Sequence, residues 1–259
     1  IRKSCIKIMK YLYVDDDCVV AIKEGGMPSA PIKEDEKDNA LFHVSLDYPE
    51  VLEVQGKKSI EGGILHRLDT ATTGLLLFAR NQFFYDELIK AQENNLFIKE
   101  YTAICSDLKN TADLLEGFPI QSKNVFSKNI NFPVEIVSLF RSYGRGQQQV
   151  RPVTNDSVGY AAKKNVTKTQ YKTEILSVEN YKKDFIVKCR ISKGFRHQVR
   201  CHLAWCGLPV VGDSLYNPLF NHAEENQTEK LFFFATKIEF PHPVLKRNIC
   251  VKMSLDFCN

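Results

Sequence analysis

The sequence predicts a mixed α+β fold rather than a doubly wound one. Three observations carry that reading. Strand-like segments outnumber helix-like ones and come in runs, where a doubly wound fold would alternate them. Only two helices are well signalled, one opened by Asn81 and one closed by Gly207. Over 259 residues, 44% hydrophobic and 25% charged side chains give a globular composition with enough apolar material for a sizeable core.

The elements follow in order. Residues 11–22, YLYVDDDCVVAI, read as two short strands around an acidic turn, and 25–31, GGMPSAP, as a loop. KSIEGGILHRLD runs through a glycine pair into a short strand, and Asp69 falls where that strand gives way to TATTG. Residues 74–80, GLLLFAR, form a buried strand. Asn81 then caps a helix reaching about Asn95, with Phe84, Leu88 and Ala91 as its apolar stripe. Residues 96–106, LFIKEYTAICS, are the next strand, with Phe97, Lys99 and Tyr101 on one face.

From 107 to 150 periodicity is weak; FPVEIVSLFRSYG is read as a helix and GRGQQQ as a flexible tip. Residues 107–165 are taken as a long excursion from a single domain spanning 1–259. TQYKTEILSV and DFIVKCRIS are strands. RHQVRCHLAWCG is a helix on which Val199, Leu203 and Cys206 share a face, with Gly207 as its C-terminal cap and Pro209 blocking continuation. EKLFFFATKIEF and RNICVKMSL close the chain as strands.

Bulk properties narrow the function classes. No apolar run reaches the ~20 residues that span a bilayer, and no signal peptide is read. The eight cysteines form no Cys-x-x-Cys pair, which fits reduced, buried thiols in a cytoplasmic protein. No four ligands converge, so no metal site is expected. Net charge is +4, with local basic stretches at 141–151 and 163–172 and an acidic one at 34–38. That excess permits nucleic-acid binding without requiring it.

Asp69 is the first chemical candidate. A lone aspartate at a strand end is more often a turn residue. Arg67, two residues before it, points to the same side of an extended strand. The second basic cluster, KGFRHQVRCH, offers Arg196 and Arg200 one helical turn apart, able to present two guanidinium groups together. An arginine paired with Asp69 would keep it ionised, lowering its pKa by ~1–3 units. Other templates are absent: there is no G-x-S-x-G elbow, phosphate-binding glycine loop or H-E-x-x-H. The residues alone support an aspartate with arginines and a tyrosine near a basic surface.

The motifs go further by resemblance. GGILHRLDTATTGLLLFAR resembles the catalytic motif of the RluA-type pseudouridine synthases. IKEYTA is similar to the family's Lys-x-Tyr strand, matched by Lys99 and Tyr101. FRHQVRCHLAWCGLPVVGDSLYN resembles the Gly-Arg-x-His-Gln-Ile/Leu-Arg-x-His motif followed by Gly-x-Pro-x-x-Gly-Asp-x-x-Tyr. The three occur in family order and cover roughly residues 11–255. The resemblance implies the pseudouridine synthase fold, a mainly antiparallel curved central sheet flanked by helices. It also implies isomerisation of uridine in ribosomal or transfer RNA, with no metal and no small-molecule cofactor, by a monomer.

Residue by residue, the family's catalytic aspartate falls on Asp69, its active-site tyrosine on Tyr101 and the aspartate's arginine partner on Arg200. Arg67 falls on the arginine that grips RNA and braces the flipped nucleotide, and Val199 on an apolar position of the base pocket. His66, Thr70, Lys99, Arg196, His197 and Gln198 complete the matched motif positions and are expected to contact RNA or substrate. Two positions depart from the pattern. Gly194-Phe195-Arg196 puts phenylalanine where the family has arginine, and Glu24 replaces the proline of an N-terminal Lys-Pro motif kept as Lys23 and Gly26. No S4-type RNA-binding domain is seen. The competing readings are a non-catalytic RNA-binding protein on the same scaffold and an unrelated hydrolase using Asp69 as nucleophile.

Overall fold

The computed structural model describes residues 8–108, 115–119, 131–155, 157, 164–220 and 230–255. In chain order its strands and α-helices are β1 (Lys10–Val14), β2 (Cys18–Lys23), α1 (Ala40–Ser45), β3 (Thr73–Ala79), α2 (Gln82–Glu93), β4 (Ile98–Cys105), β5 (Val134–Tyr143), β6 (Gln149–Val153), β7 (Tyr171–Tyr181), β8 (Asp184–Ile191), α3 (Gln198–Trp205), β9 (Phe233–His242) and β10 (Arg247–Lys252). This is a mixed, mostly antiparallel α+β architecture. The chain forms two compact units, Ile1–Glu100 with Phe234–Asn259, and Tyr101–Phe233.

In the first unit β2 pairs antiparallel with β1 and β3, and β10 with β9. The acidic turn between β1 and β2 is closed by Asp15, whose Oδ1 accepts from the amides of Asp17 and Cys18. β2 and β3 are buried along almost their whole length, which is why VVAI and LLLFA read as apolar runs rather than alternating ones. Asn81 accepts from Phe84 N as the cap of α2, and Phe84, Leu88 and Ala91 pack with Val20, Leu75, Leu77, Phe97 and Phe240. β3 meets β9 in parallel at Thr73–Gly74. A side chain at Gly74 would place its Cβ 2.4 Å from Ala235 O, so the crossing requires glycine there.

Two expectations fail in instructive ways. ILHRLD is not a strand: Ile64 makes an isolated bridge to Phe78, and the residues up to Asp69 are irregular. The backbone of Leu68 bonds through both its N–H and its C=O to the Ser29 side chain, and so is not available to a ladder.

In the second unit the strand order is β4-β8-β7-β5-β6, with β5 antiparallel to both β6 and β7. FPVEIVSLFRSYG is therefore a strand, not a helix. Val134, Ile136, Ser138 and Phe140 point inward with period two. Val137, 40% exposed, and half-buried Leu139 on the outer face masked that alternation in the sequence. GRGQQ is the tip joining β5 to β6, with positive φ at Gly144, Gly146 and Gln147. α3 begins at Gln198, and His197 before it is left-handed (φ 56°). Among the described residues no helix is long and apolar enough to cross a membrane.

Candidate active site

In the first unit the peptides around Asp69 are laced from a loop some forty residues earlier. Ser29 Oγ donates to Leu68 O at 2.8 Å and accepts from Leu68 N at 2.9 Å. On the other side, Thr70 O accepts from Gly26 N at 2.8 Å and from Lys23 Nζ at 3.0 Å. Lys23 is fully buried, and its ammonium also donates to the carbonyls of Glu24 at 2.9 Å and Met27 at 2.8 Å. A buried ammonium is tolerable only when its donors are satisfied, and three carbonyls do that here. Gly25 N donates to Thr73 Oγ1, and Thr72 N to Asp69 O. Asp69 thus sits half-buried on a backbone fixed on both sides, while Thr70 is exposed.

Its neighbours divide by role. Arg67 is exposed, 3.3 Å from the carboxylate of the largely buried Glu61. His66 accepts from Leu77 N through Nε2, so the neutral ring carries its proton on Nδ1, a buried atom with no partner among the described residues. Burial, reinforced by the Lys99 charge, holds its pKa down at about 3. The ring stands edge-on to Phe97, and Lys99 Nζ lies 4.8 Å from the same Phe97 centroid. Burial, and secondarily Lys57, pushes Lys99 down to about 8. His66, Lys99 and Phe97 therefore form one group.

In the second unit the motif residues gather at the start of α3. Arg200 is buried and forms a two-pronged ion pair with Asp213: Nε to Oδ2 at 2.7 Å and Nη2 to Oδ1 at 2.6 Å. Asp213 Oδ1 also accepts from the amides of Leu215 and Tyr216. Gln198 Nε2 donates to Lys172 O and Thr173 Oγ1, and its Oε1 accepts from Phe195 N. Val199 is 4% exposed. His197 Nδ1 bonds Tyr216 Oη at 3.0 Å. Tyr101 is buried, its ring stacked parallel on Phe233 at 5.1 Å.

Arg196 and Arg200 do not present their guanidinium groups together. Arg196 precedes the helix and is exposed, with Nη2 on the carbonyls of Gln147 and Gln149, whereas Arg200 points into the fold. Phe195, the departure from the family pattern, packs against Phe140 at 5.1 Å and Tyr171 at 5.0 Å, so an apolar residue suits that place. Sequence reasoning gave no role to Ser29, Glu61 or Asp213. Asp213 stood inside a quoted motif and could have been found there; Ser29 and Glu61 left no local signal.

One group of metal-type ligands occurs among the described residues: Asp15, Cys18 and His242. Hydrogen bonding accounts for it. Leu245 N donates to His242 Nδ1, so Nε2 keeps its proton and donates to Asp15 Oδ2 at 3.0 Å. That proton occupies the lone pair a metal would need. The six described cysteines form no disulfide, and five are buried.

The model of the family described as RNA pseudouridylate synthase matches residues 17–205. Among curated proteins, the ribosomal large subunit pseudouridine synthase D of Buchnera aphidicola is 25% identical over 247 residues, covering 92% of this chain and 67% of the relative. An RNA pseudouridine synthase of Mycoplasma pneumoniae is 28% identical, covering 95% and 66%. A second synthase D, from Blochmanniella floridana, is 28% identical, covering 82% and 55%. The chain thus spans between about half and two thirds of the length of these relatives. Two solved human structures share the fold: RNA pseudouridylate synthase domain containing 1, with TM-score 0.66, 17% identity and 99% of this chain and 87% of that one covered, and domain containing 4, with TM-score 0.59, 17% identity and 95% and 88% covered.

Proposed function

The chain belongs to the RNA pseudouridylate synthase family, and we propose that it isomerises uridine to pseudouridine in ribosomal or transfer RNA, acting as a cytoplasmic monomer without a cofactor. The observation that carries this is Asp69, placed by the family motif and held on a backbone fixed on both sides by Lys23, Gly26 and Ser29. A reacting group gains most when its support is rigid.

The reaction breaks the bond from ribose to uracil N1 and joins the sugar to C5 of the same base, whose C5 proton leaves. The target nucleotide must first leave the stack, at a cost of a few kcal/mol. Arg67, exposed and paired with Glu61, is suited to filling or bracing the gap. Asp69 acts on the sugar, as a nucleophile or by stabilising developing positive charge. Arg200, itself held by Asp213, is the arginine that the family motif assigns to the catalytic aspartate. Tyr101 packs on the base and assists proton transfer. His66, Thr70, Lys99, Arg196, His197, Gln198 and Val199 serve substrate binding.

The test is tritium release from RNA labelled at C5 of uridine, prepared from cells lacking this protein. Release by the wild type and none by Asp69→Asn supports the reading. No release by folded wild-type protein that binds the RNA would move it to RNA binding without catalysis.

A further inference from the structure

The second unit holds cations that the reaction does not use. Arg141 on β5 and Arg151 on β6 are direct partners across the hairpin. Directly opposed side chains share a face, and like charges there are destabilising unless compensated. Among the described residues neither guanidinium meets a carboxylate. Arg151 is 2% exposed, with Nε on Glu116 O at 2.8 Å and Nη1 on Val150 O at 3.0 Å. Arg141 is half-buried, with Nη2 3.4 Å from Gly117 O.

Aromatic rings separate these charges. Arg141 lies 5.0 Å from the Tyr143 centroid and Arg151 lies 4.2 Å from the same ring. Arg151 is also 4.5 Å from Phe118 and 5.9 Å from Tyr216, whose ring is 5.4 Å from Arg200. Guanidinium and ring therefore alternate from Arg141 inward to Arg200. At its inner end Arg200 meets the carboxylate of Asp213, whereas among the described residues Arg141 and Arg151 meet none. The ring faces ease the desolvation of the arginines but do not neutralise them. The hairpin tip beside them is pinned by Arg196 on Gln147 O and Gln149 O, so its form is set before any ligand arrives.

We infer that Arg141, backed by the buried charge of Arg151, forms a binding site for a phosphodiester of the RNA backbone on the β5–β6 hairpin. A planar guanidinium fork matches phosphate oxygens two at a time, and an anion at the outer end of the array supplies the charge its arginines lack. The site rests on the RNA reading given above and adds to it a phosphate contact outside the catalytic motifs.

The probe is a twelve-nucleotide oligoadenylate, which offers phosphodiesters and no uridine. Its binding is therefore independent of whether isomerisation occurs. Affinity is measured across a salt series for wild type, Arg141→Gln and Arg151→Lys, with thermal melting as the check on folding. Arg141→Gln is expected to weaken binding several-fold and to reduce the slope of log affinity against log salt by about 0.7, the single-strand value for one lost phosphate contact. Arg151→Lys keeps the charge behind Arg141 but loses the fork that packs between the rings and holds Glu116 O, and is expected to weaken binding with the slope retained. Wild-type affinity and slope in a folded Arg141→Gln protein would overturn the site. Wild-type affinity in Arg151→Lys would remove Arg151 from it. Loss of tritium release with oligoadenylate binding intact would concern the catalytic reading alone.

Discussion

Asp69 and Arg200 are held by opposite means. Asp69 lies on irregular chain, and what fixes it are bonds to the backbone of its neighbours, supplied by Lys23, Gly26 and Ser29. Arg200 lies on a regular helix, and what fixes it are side chains of that helix and of the turn just after it. Gln198 reaches Lys172 O and Thr173, His202 bridges Ser138 and Thr173 at 2.9 Å each, and Asp213 takes the guanidinium itself. In the first arrangement the sensitive residues stand some forty residues from Asp69 in sequence. In the second they lie on the same helix as Arg200 or in the turn after it.

The comparison can be broken at graded strengths. Asp69→Asn is expected to abolish tritium release with little change in melting temperature, because the bonds that fix this stretch are made to the backbone. Asp213→Asn should instead lower stability. It removes the carboxylate that takes the buried Arg200 guanidinium in two bonds, a loss of about 3–5 kcal/mol, read as a shift of the urea midpoint. A wild-type midpoint would mean that Asp213 does not carry Arg200.

Ser29→Ala removes two buried hydrogen bonds from the peptides beside Asp69. About 1–3 kcal/mol of stability should go, and kcat of the folded protein should fall more than KM rises. Equal stability with wild-type kcat would show that the lacing does not position the aspartate.

His202 sharpens the comparison through pH. Its burial lowers its pKa from 6.5 to about 3. Between those values the unfolded chain binds the proton and the folded one does not. The stability His202 contributes is therefore complete above pH 6.5 and is lost as pH falls toward 3, by about 1.4 kcal/mol per pH unit. Melting temperatures from pH 7 to 4.5 should fall, and His202→Gln should flatten the profile.

Lys99 gives the same sign of slope in a higher pH window. Its pKa of about 8 lies below the ordinary 10.5. The unfolded chain binds the extra proton in that window, so stability rises with pH across it and the lysine is a burden at neutral pH. Lys99→Met should raise the melting temperature at pH 7, with the gain shrinking toward pH 10.5. A lower melting temperature at pH 7 would indicate that the ammonium has a partner it needs.

Legibility in the sequence follows the same division. The cap at Asn81 and the stripe Phe84, Leu88, Ala91 were readable because they act within two turns of helix. The motif around Arg200 was readable because its residues are contiguous, although the hold of Asp213 on Arg200 was not. β5 was misread because Val137 and Leu139 on its outer face resemble core residues. The role of Ser29 was unreadable because its partner Leu68 is 39 residues away and a single serine carries no period.

By itself, then, the sequence determined the family, the α+β class and most element positions, and it supplied the aspartate proposed as the reacting group. These rest on local patterning, which periodicity and capping chemistry record. Tertiary structure alone decided that Lys23 would donate to three carbonyls, that Arg200 would be gripped by Asp213, and that Arg141 and Arg151 would face each other with no acid on either among the described residues. Those outcomes depend on which distant atoms end within hydrogen-bonding distance, and burial makes them matter, since a charge removed from water must be compensated by whatever the fold brings to it.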